Sequence, residues 1–188
     1  MPGNTEGLSR KDYPTVDGLR ASEVALENVR VPASALLGAE GAASQTLKTV
    51  INRGILAISA EAVGAMAVLY QSTIDYTKQR VQFDHPLSEF QVVKHRLTEM
   101  FIEYNLAKSL CMKATMLLNQ NSEDAQRHIH ALKFLIGKTS RFVGQNAVQL
   151  HGGMGMTEDL AIAHYFKRLM MIDATFGHTD IHLDAFVQ

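Results

Sequence analysis

Leu47, Ile51, Ile55, Ile58, Ala62, Ala65 and Leu69 recur at steps of three and four. A stripe with that period falls on one face only if the chain is an α-helix. The pattern runs from about Gly41 to about Lys78. A second stripe carries Val93, Leu97, Met100, Tyr104, Ala107, Cys111, Ala114 and Leu118. A third carries Leu132, Ile136, Thr139, Val143, Ala147 and Leu150. Each helix offers an apolar seam that it cannot bury alone, so the three must pack against one another.

The breaks between stripes set the order. Phe83-Asp84-His85-Pro86 interrupts the first helix, and Ser88-Glu89-Phe90-Gln91 fits a capping box, with Gln91 three residues after the serine. Asn119-Gln120-Asn121 reads as a turn, and Ser122-Glu123-Asp124 as a helix start with acids in its first turn. Gly152-Gly153 ends the third helix. Thr157-Glu158-Asp159 opens a fourth that runs to about Met171, followed by a short apolar tail to Gln188. The predicted fold is all-α, an up-and-down four-helix bundle over residues 39–188.

Residues 1–38 read differently. Residues 1–17 are polar and rich in turn formers, which predicts a flexible start. Val24, Leu26, Val29 and Val31 are apolar near period two, with a slip at Glu27-Asn28, and Pro32 ends the run. That is a short β-strand ahead of the bundle. A lone strand lacks partners for its backbone, so it reads as the last strand of a β-domain whose remainder lies outside the chain.

Composition excludes several functions. Eighteen basic and 19 acidic side chains are mixed along 188 residues for a net charge of -1, which gives no footprint for nucleic acid or an anionic membrane. No uninterrupted apolar run reaches about 18 residues, and Met1-Pro2-Gly3-Asn4 does not start a secretory signal. Cys111, the single cysteine, falls in an apolar helical stripe and reads as a core residue in a reducing compartment, with the cytoplasm as default.

The chemical signals are few. Of eight histidines, His178 and His182 have the i, i+4 spacing of a helical metal pair, and His128 and His130 do not share a face. No Glu-x-x-His occurs, so the di-iron signature is missing and no metal is expected. Gly152-Gly153-Met154-Gly155 follows a helix, not a strand, so it is not a Rossmann phosphate loop. It is either a helix cap or a place where another group approaches the backbone. Arg80 either complements the dipole of its helix or pairs with a phosphate.

Three segments together carry a resemblance. Arg80-Val81-Gln82-Phe83-Asp84-His85-Pro86-Leu87-Ser88-Glu89-Phe90-Gln91 resembles the Arg-x-x-Phe-Gly-x-x-(Ile/Leu)-x-x-x-Gln segment of acyl-CoA dehydrogenases. Gln149-Leu150-His151-Gly152-Gly153-Met154-Gly155 is similar to that family's Gln-x-x-Gly-Gly-x-Gly. Asn28-Val29-Arg30-Val31-Pro32 with Leu37-Gly38 resembles the last strand of its middle β-domain.

The resemblance implies the C-terminal helical domain of a flavoprotein that oxidises an acyl-CoA thioester to a trans-2-enoyl-CoA. It implies FAD as cofactor, with Arg80 at the pyrophosphate and Gln82, Phe83 and Gln91 around it. Gln149, Gly152 and Gly153 would approach the adenosine half, and Arg53 would line the acyl-CoA site. These contacts are expected to cross a dimer interface in a homodimer or homotetramer, or to a second acyl-CoA dehydrogenase subunit. The two loops, placed at opposite ends of packed helices, are expected to converge on the dinucleotide phosphates. An isolated chain is expected to hold little or no FAD.

The family reaction needs a carboxylate to take the α-proton. Most members place a Glu immediately before a Gly-Thr type of turn; a minority place it directly before the arginine that Arg53 matches. Here those positions hold Phe176 and Asn52, neither of which accepts a proton. Asp173, one helical turn before Phe176, and Glu61, two turns after Arg53, are either substitutes for that base or ordinary surface or packing-edge carboxylates. Without a base, the chain is expected either to act with a partner subunit that supplies one or to serve as an assembly module, its Ala62, Ala65, Met66 and Met116 packing between chains.

Overall fold

A computed structural model describes residues 3–188; the part of the expected flexible start that falls on residues 1 and 2 lies outside them. The chain divides into two compact units, residues 1–51 and 52–188.

The first unit holds an antiparallel hairpin of β1 (Leu8–Pro14) and β2 (Arg20–Leu26), in register from Leu8 opposite Leu26 to Pro14 opposite Arg20. The expected flexible start is therefore a strand over much of its length. Alternation was hidden because β1 is Leu-Ser-Arg-Lys-Asp-Tyr-Pro and solvent-facing almost throughout. β2 stops at Leu26, short of the expected Val31, because Asn28 adopts a left-handed backbone (φ 53°). The slip at Glu27-Asn28 is thus a turn.

Five helices follow the hairpin: α1 (Ala43–Gln79), α2 (Gln91–Asn119), α3 (Ala125–His151), α4 (Ala161–Ala174) and α5 (Thr179–Val187). A two-residue-strand hairpin, β3 (Val81–Gln82) and β4 (His85–Pro86), joins α1 to α2. The all-α bundle expected from the periodicity is present, with α5 where a tail was expected.

The core is built from the predicted seams. Ile55, Ala62, Ala65 and Leu69 of α1, Met100, Ala107, Cys111 and Ala114 of α2, and Leu132, Ile136, Val143 and Ala147 of α3 are all buried. Leu47 and Ile51 are exposed. Ala62, Ala65 and Met66, expected between chains, lie in this core; Met116 is exposed. By length and composition α1 suffices to cross a membrane, with a mean hydropathy of 1.4 over its most apolar stretch, but its buried face packs into the core.

Helix α3 is central, touching α2, α4 and α5. Its close approach to α4 and α5 needs Gly137, where a Cβ would stand 2.0 Å from Thr179 Oγ1 and 2.3 Å from Asp173 Oδ1.

Two helix starts differ from expectation. The Ser88–Gln91 capping box does not form: Leu87–Glu89 makes a 3-10 turn that takes up the serine, and α2 starts at Gln91 behind an extended Phe90. The fourth helix begins at Ala161, because Gly152–Met156 form another 3-10 turn whose end is held by the Thr157 hydroxyl donating to the Met154 carbonyl.

Candidate functional site

The two loops singled out in the sequence lie at one end of the bundle. Tyr76, in the last turn of α1, stacks on His151, the last residue of α3, with ring centroids 4.3 Å apart. The Tyr76 hydroxyl donates to the His151 carbonyl at 3.4 Å. Arg80 follows one end and Gly152-Gly153 the other. The expectation of opposite ends is corrected: in an up-and-down bundle the first and third helices run the same way, so both C-termini come out together.

Arg80 is exposed, and its carbonyl accepts the Leu87 amide at 2.9 Å, closing the small hairpin. The two residues at the hairpin tip, Phe83 and Asp84, have φ of 55° and 62°. That double left-handed pair makes a two-residue hairpin turn that normally takes Asn-Gly. A bulky residue held there is strained, and strain of this kind clusters at binding sites. The turn pushes Phe83 out to 85% exposure, its ring edge-on to Phe90 at 6.3 Å. Gln82 and Gln91 are exposed on the same hairpin and at the start of α2.

Opposite them, Gln149 is exposed on the last turn of α3, and Gly152 (φ 61°) and Gly153 face open space. A guanidinium, three amides, an aromatic ring and bare backbone are thus presented together. This set fits a dinucleotide: a planar fork for phosphate oxygens, amides for polar edges, and glycines that let the ligand near the backbone.

A groove runs along α3 from this end. A cleft of about 440 Å³ at Arg96, Asn146 and Gln149 adjoins one of about 500 Å³ that reaches Arg141, Asp173 and Thr179. Gln145 and Phe142 line both. Sequence reading missed this groove because its residues share a face only once α2, α3 and α5 are packed.

Arg53 is not part of that assembly. It lies on α1, 27 positions before Arg80, which directly follows the helix, about 40 Å of helix rise. Its neighbour Gly54 lies under the Phe176 ring, where a Cβ would stand 2.8 Å from the ring tip. Phe176 is left-handed (φ 60°) in the α4–α5 loop. Both positions at which the resemblance calls for a base thus lie beside Arg53.

The substitute carboxylates are already engaged. Glu61 forms a two-pronged pair with Arg168, at 2.5 Å to Nε and 2.8 Å to Nη2. Asp173 is buried, accepts the Thr179 hydroxyl at 2.7 Å and meets Arg141 Nη2 at 3.5 Å. Beneath it the Lys133 ammonium, fully buried, donates to the carbonyls of Asp173 at 2.8 Å and Gly177 at 2.9 Å. Burial pushes the Lys133 pKa down, and the nearby Asp173 opposes the shift.

Burial also pushes the Cys111 thiol up, against a hydrogen bond with Thr115, which favours the neutral thiol. His182 is buried away from His178, and among the described residues there is no cluster of three potential metal ligands.

The bundle therefore presents Arg80, three amides and bare glycine backbone together at one end of α1 and carries Arg53 towards the other. The chain belongs to the acyl-CoA dehydrogenase C-terminal domain family, whose profile matches residues 41–188. It is 30% identical over 184 residues to the probable acyl-CoA dehydrogenase YngJ of Bacillus subtilis (strain 168), covering 96% of this chain and 48% of that protein. The acyl-CoA dehydrogenase crystal structure from Geobacillus kaustophilus superposes with a TM-score of 0.92 at 26% identity, covering 100% of this chain and 50% of that one. The structure of PigA with FAD and proline superposes at 0.93 with 25% identity, covering 100% and 49%. The chain spans about half the length of the curated relatives it matches.

Proposed function

We propose that this chain is the C-terminal helical part of an FAD-dependent acyl-CoA dehydrogenase, contributing to the oxidation of an acyl-CoA thioester to a trans-2-enoyl-CoA. The Tyr76–His151 stack carries the reading, because it brings the Arg80 hairpin and the Gly152-Gly153 turn to one face. Arg80 holds the pyrophosphate, with Gln82, Phe83 and Gln91 around it; Gln149, Gly152 and Gly153 meet the adenosine half. Bound FAD supplies the acceptor for the β-hydride.

The separation of Arg80 from Arg53 along α1 supports a cross-subunit arrangement. Arg80 serves a cofactor held mainly by a neighbouring subunit, while Arg53 lines the acyl-CoA site of its own. Exposed Phe101, Ile102, Leu106 and Met112 of α2 offer apolar surface for such a homodimer or homotetramer. Residues 1–38 serve as the end of a middle β-domain, and residues 39–188 as the bundle. A cytoplasmic setting goes with the buried free thiol of Cys111.

A second reading, favoured by Phe176 and Asn52 at the base positions, is an assembly subunit without turnover of its own, whose partner carries the carboxylate. The test is to purify the longest gene product alone and with a second acyl-CoA dehydrogenase subunit. Absence of flavin absorbance near roughly 450 nm in both preparations overturns the proposed function. Acyl-CoA oxidation by the longest product alone excludes the second reading.

A further inference from the structure

A chain of polar side chains outside the cofactor-facing loops runs from α1 to the α4–α5 loop. Asn52 donates its amide to Gln126 Oε1 at 2.6 Å. Gln126 Nε2 meets His130 Nε2 at 2.7 Å, His130 Nδ1 faces His182 Nδ1 at 3.0 Å, and His182 Nε2 lies 2.9 Å from the Phe176 carbonyl. The chain starts at one base position of the family and ends at the other.

The orientation of the Gln126 amide, its nitrogen towards His130, sets the ring protons. A carbonyl only accepts, so His182 Nε2 bears hydrogen, and in a neutral ring its Nδ1 is then bare. His130 must therefore donate from Nδ1, which leaves its Nε2 to accept from the Gln126 amide nitrogen. The Gln126 oxygen is thereby left free for the Asn52 donor, as found. With the two amides oriented as they stand, one assignment satisfies all four bonds, and in it both imidazoles are neutral.

We infer that His182, backed by His130 and Gln126, is the positioning residue for position 176, and that the same chain orients the Asn52 amide. This inference rests on the proposed function only for the meaning of positions 52 and 176. The segment from Asp173 to Gly177 has three carbonyls held by side chains, two by Lys133 and one by His182. Together these bonds hold Phe176 in its left-handed backbone over Gly54.

Burial of His182 favours its neutral ring. His182 is buried, which pushes its pKa below the usual histidine range; the Lys133 ammonium on α3 adds to this, and the Phe176 carbonyl and Asp173 on α4 oppose it. Arg127, also on α3, lies over the Phe186 ring of α5 at 4.8 Å. A proton on His182 Nδ1 would set two N–H groups face to face. A proton on His130 Nε2 is tolerated only if Gln126 and Asn52 both turn their amides over.

The test uses the chain itself and needs no turnover, so its failure leaves the flavoenzyme reading untouched. Nitrogen-15 spectra of the imidazoles at neutral pH should show His130 as the Nδ1–H tautomer and His182 as the Nε2–H tautomer. His182→Gln retains a donor where Nε2 stands and should keep the Thr175 amide, bonded to the Met171 carbonyl at 3.0 Å, as slow to exchange as in the parent. His182→Ala should speed that exchange about tenfold. Charged rings or the reverse tautomers at neutral pH overturn the inference. So does unchanged Thr175 exchange in a folded His182→Ala protein. If His182→Ala fails to fold, the tautomer spectrum of the parent and rescue in His182→Gln still decide it.

Discussion

The Tyr76 ring lies over the His151 imidazole with planes inclined by 28°, and that contact ties the end of α1 to the end of α3. His151 is itself fixed, its Nδ1–H donating to the Ala147 carbonyl at 2.8 Å within the same helix. Two loops distant in sequence are thus referred to one rigid point. A binding surface assembled in this way does not depend on either loop folding alone.

Arg80→Ala should weaken FAD retention about 10- to 100-fold, the equivalent of one charge-assisted hydrogen bond of about 1.5–3 kcal/mol. Arg80→Lys should recover only part of this, since an ammonium cannot offer a planar fork. Tyr76→Ala should also lower retention, though its ring carries no charge, because the two loops lose their common anchor. Flavin absorbance after gel filtration of the assembled oligomer reads all three; full retention in Arg80→Ala removes Arg80 from the site.

Phe176→Glu puts a carboxylate where the family carries its base, over Gly54 and beside Arg53. Acyl-CoA oxidation should rise above that of the parent chain in the flavin-loaded oligomer, at a stability cost of about 1–2 kcal/mol from lost ring packing. Glu61→Gln should leave turnover unchanged, because Glu61 is committed to Arg168. Its stability effect should stay under about 1 kcal/mol for so exposed a pair. A large loss of turnover in Glu61→Gln would make that carboxylate the base after all.

Much of this was legible in the sequence where a period was present. The seams through Ile55, Met100 and Ile136 predicted which residues meet, because a helix face is fixed by spacing. The β1 strand was not legible, since Ser9, Arg10, Lys11 and Asp12 leave no apolar face to alternate. At the site, Arg80 and Gly152 were visible as types, but the direction of α3 relative to α1 decides that they share an end, and spacing carries no direction. The His130–His182 pair, 52 residues apart, gave no signal at all, since nothing in the spacing of two histidines on different helices shows that they meet.

Gly137→Ala should destabilise the bundle by about 1–3 kcal/mol, since the new methyl meets the Thr179 hydroxyl and the Asp173 carboxylate. Both groups belong to the corner that presents position 176, so the loss should appear first as faster amide exchange in α5 and only then as a lower melting temperature. Gly64→Ala is the control, because nothing lies within 4 Å of its added Cβ. Equal melting temperatures for the two variants would show that α5 yields without cost.

The last prediction concerns pH, and its sign follows from the direction of the His182 shift. Burial holds the folded pKa of His182 below its unfolded value of about 6.5. Below that value the unfolded chain binds the proton first. Stability from the neutral ring is therefore fully present above the ordinary histidine range and lost as pH falls through it towards the lowered folded value. His182→Gln removes this titration and the His130 contact with it, so the difference in unfolding free energy between parent and variant reports the His130–His182 pair. That difference should be flat from about pH 8 to pH 7 and should turn against the parent as the pH drops below about 6.5. Chemical denaturation of both proteins at each pH measures it. A parent that gains on the variant under acid would mean that His182 is charged in the fold, and the chain of bonds from Asn52 to Phe176 would have to run in the other sense.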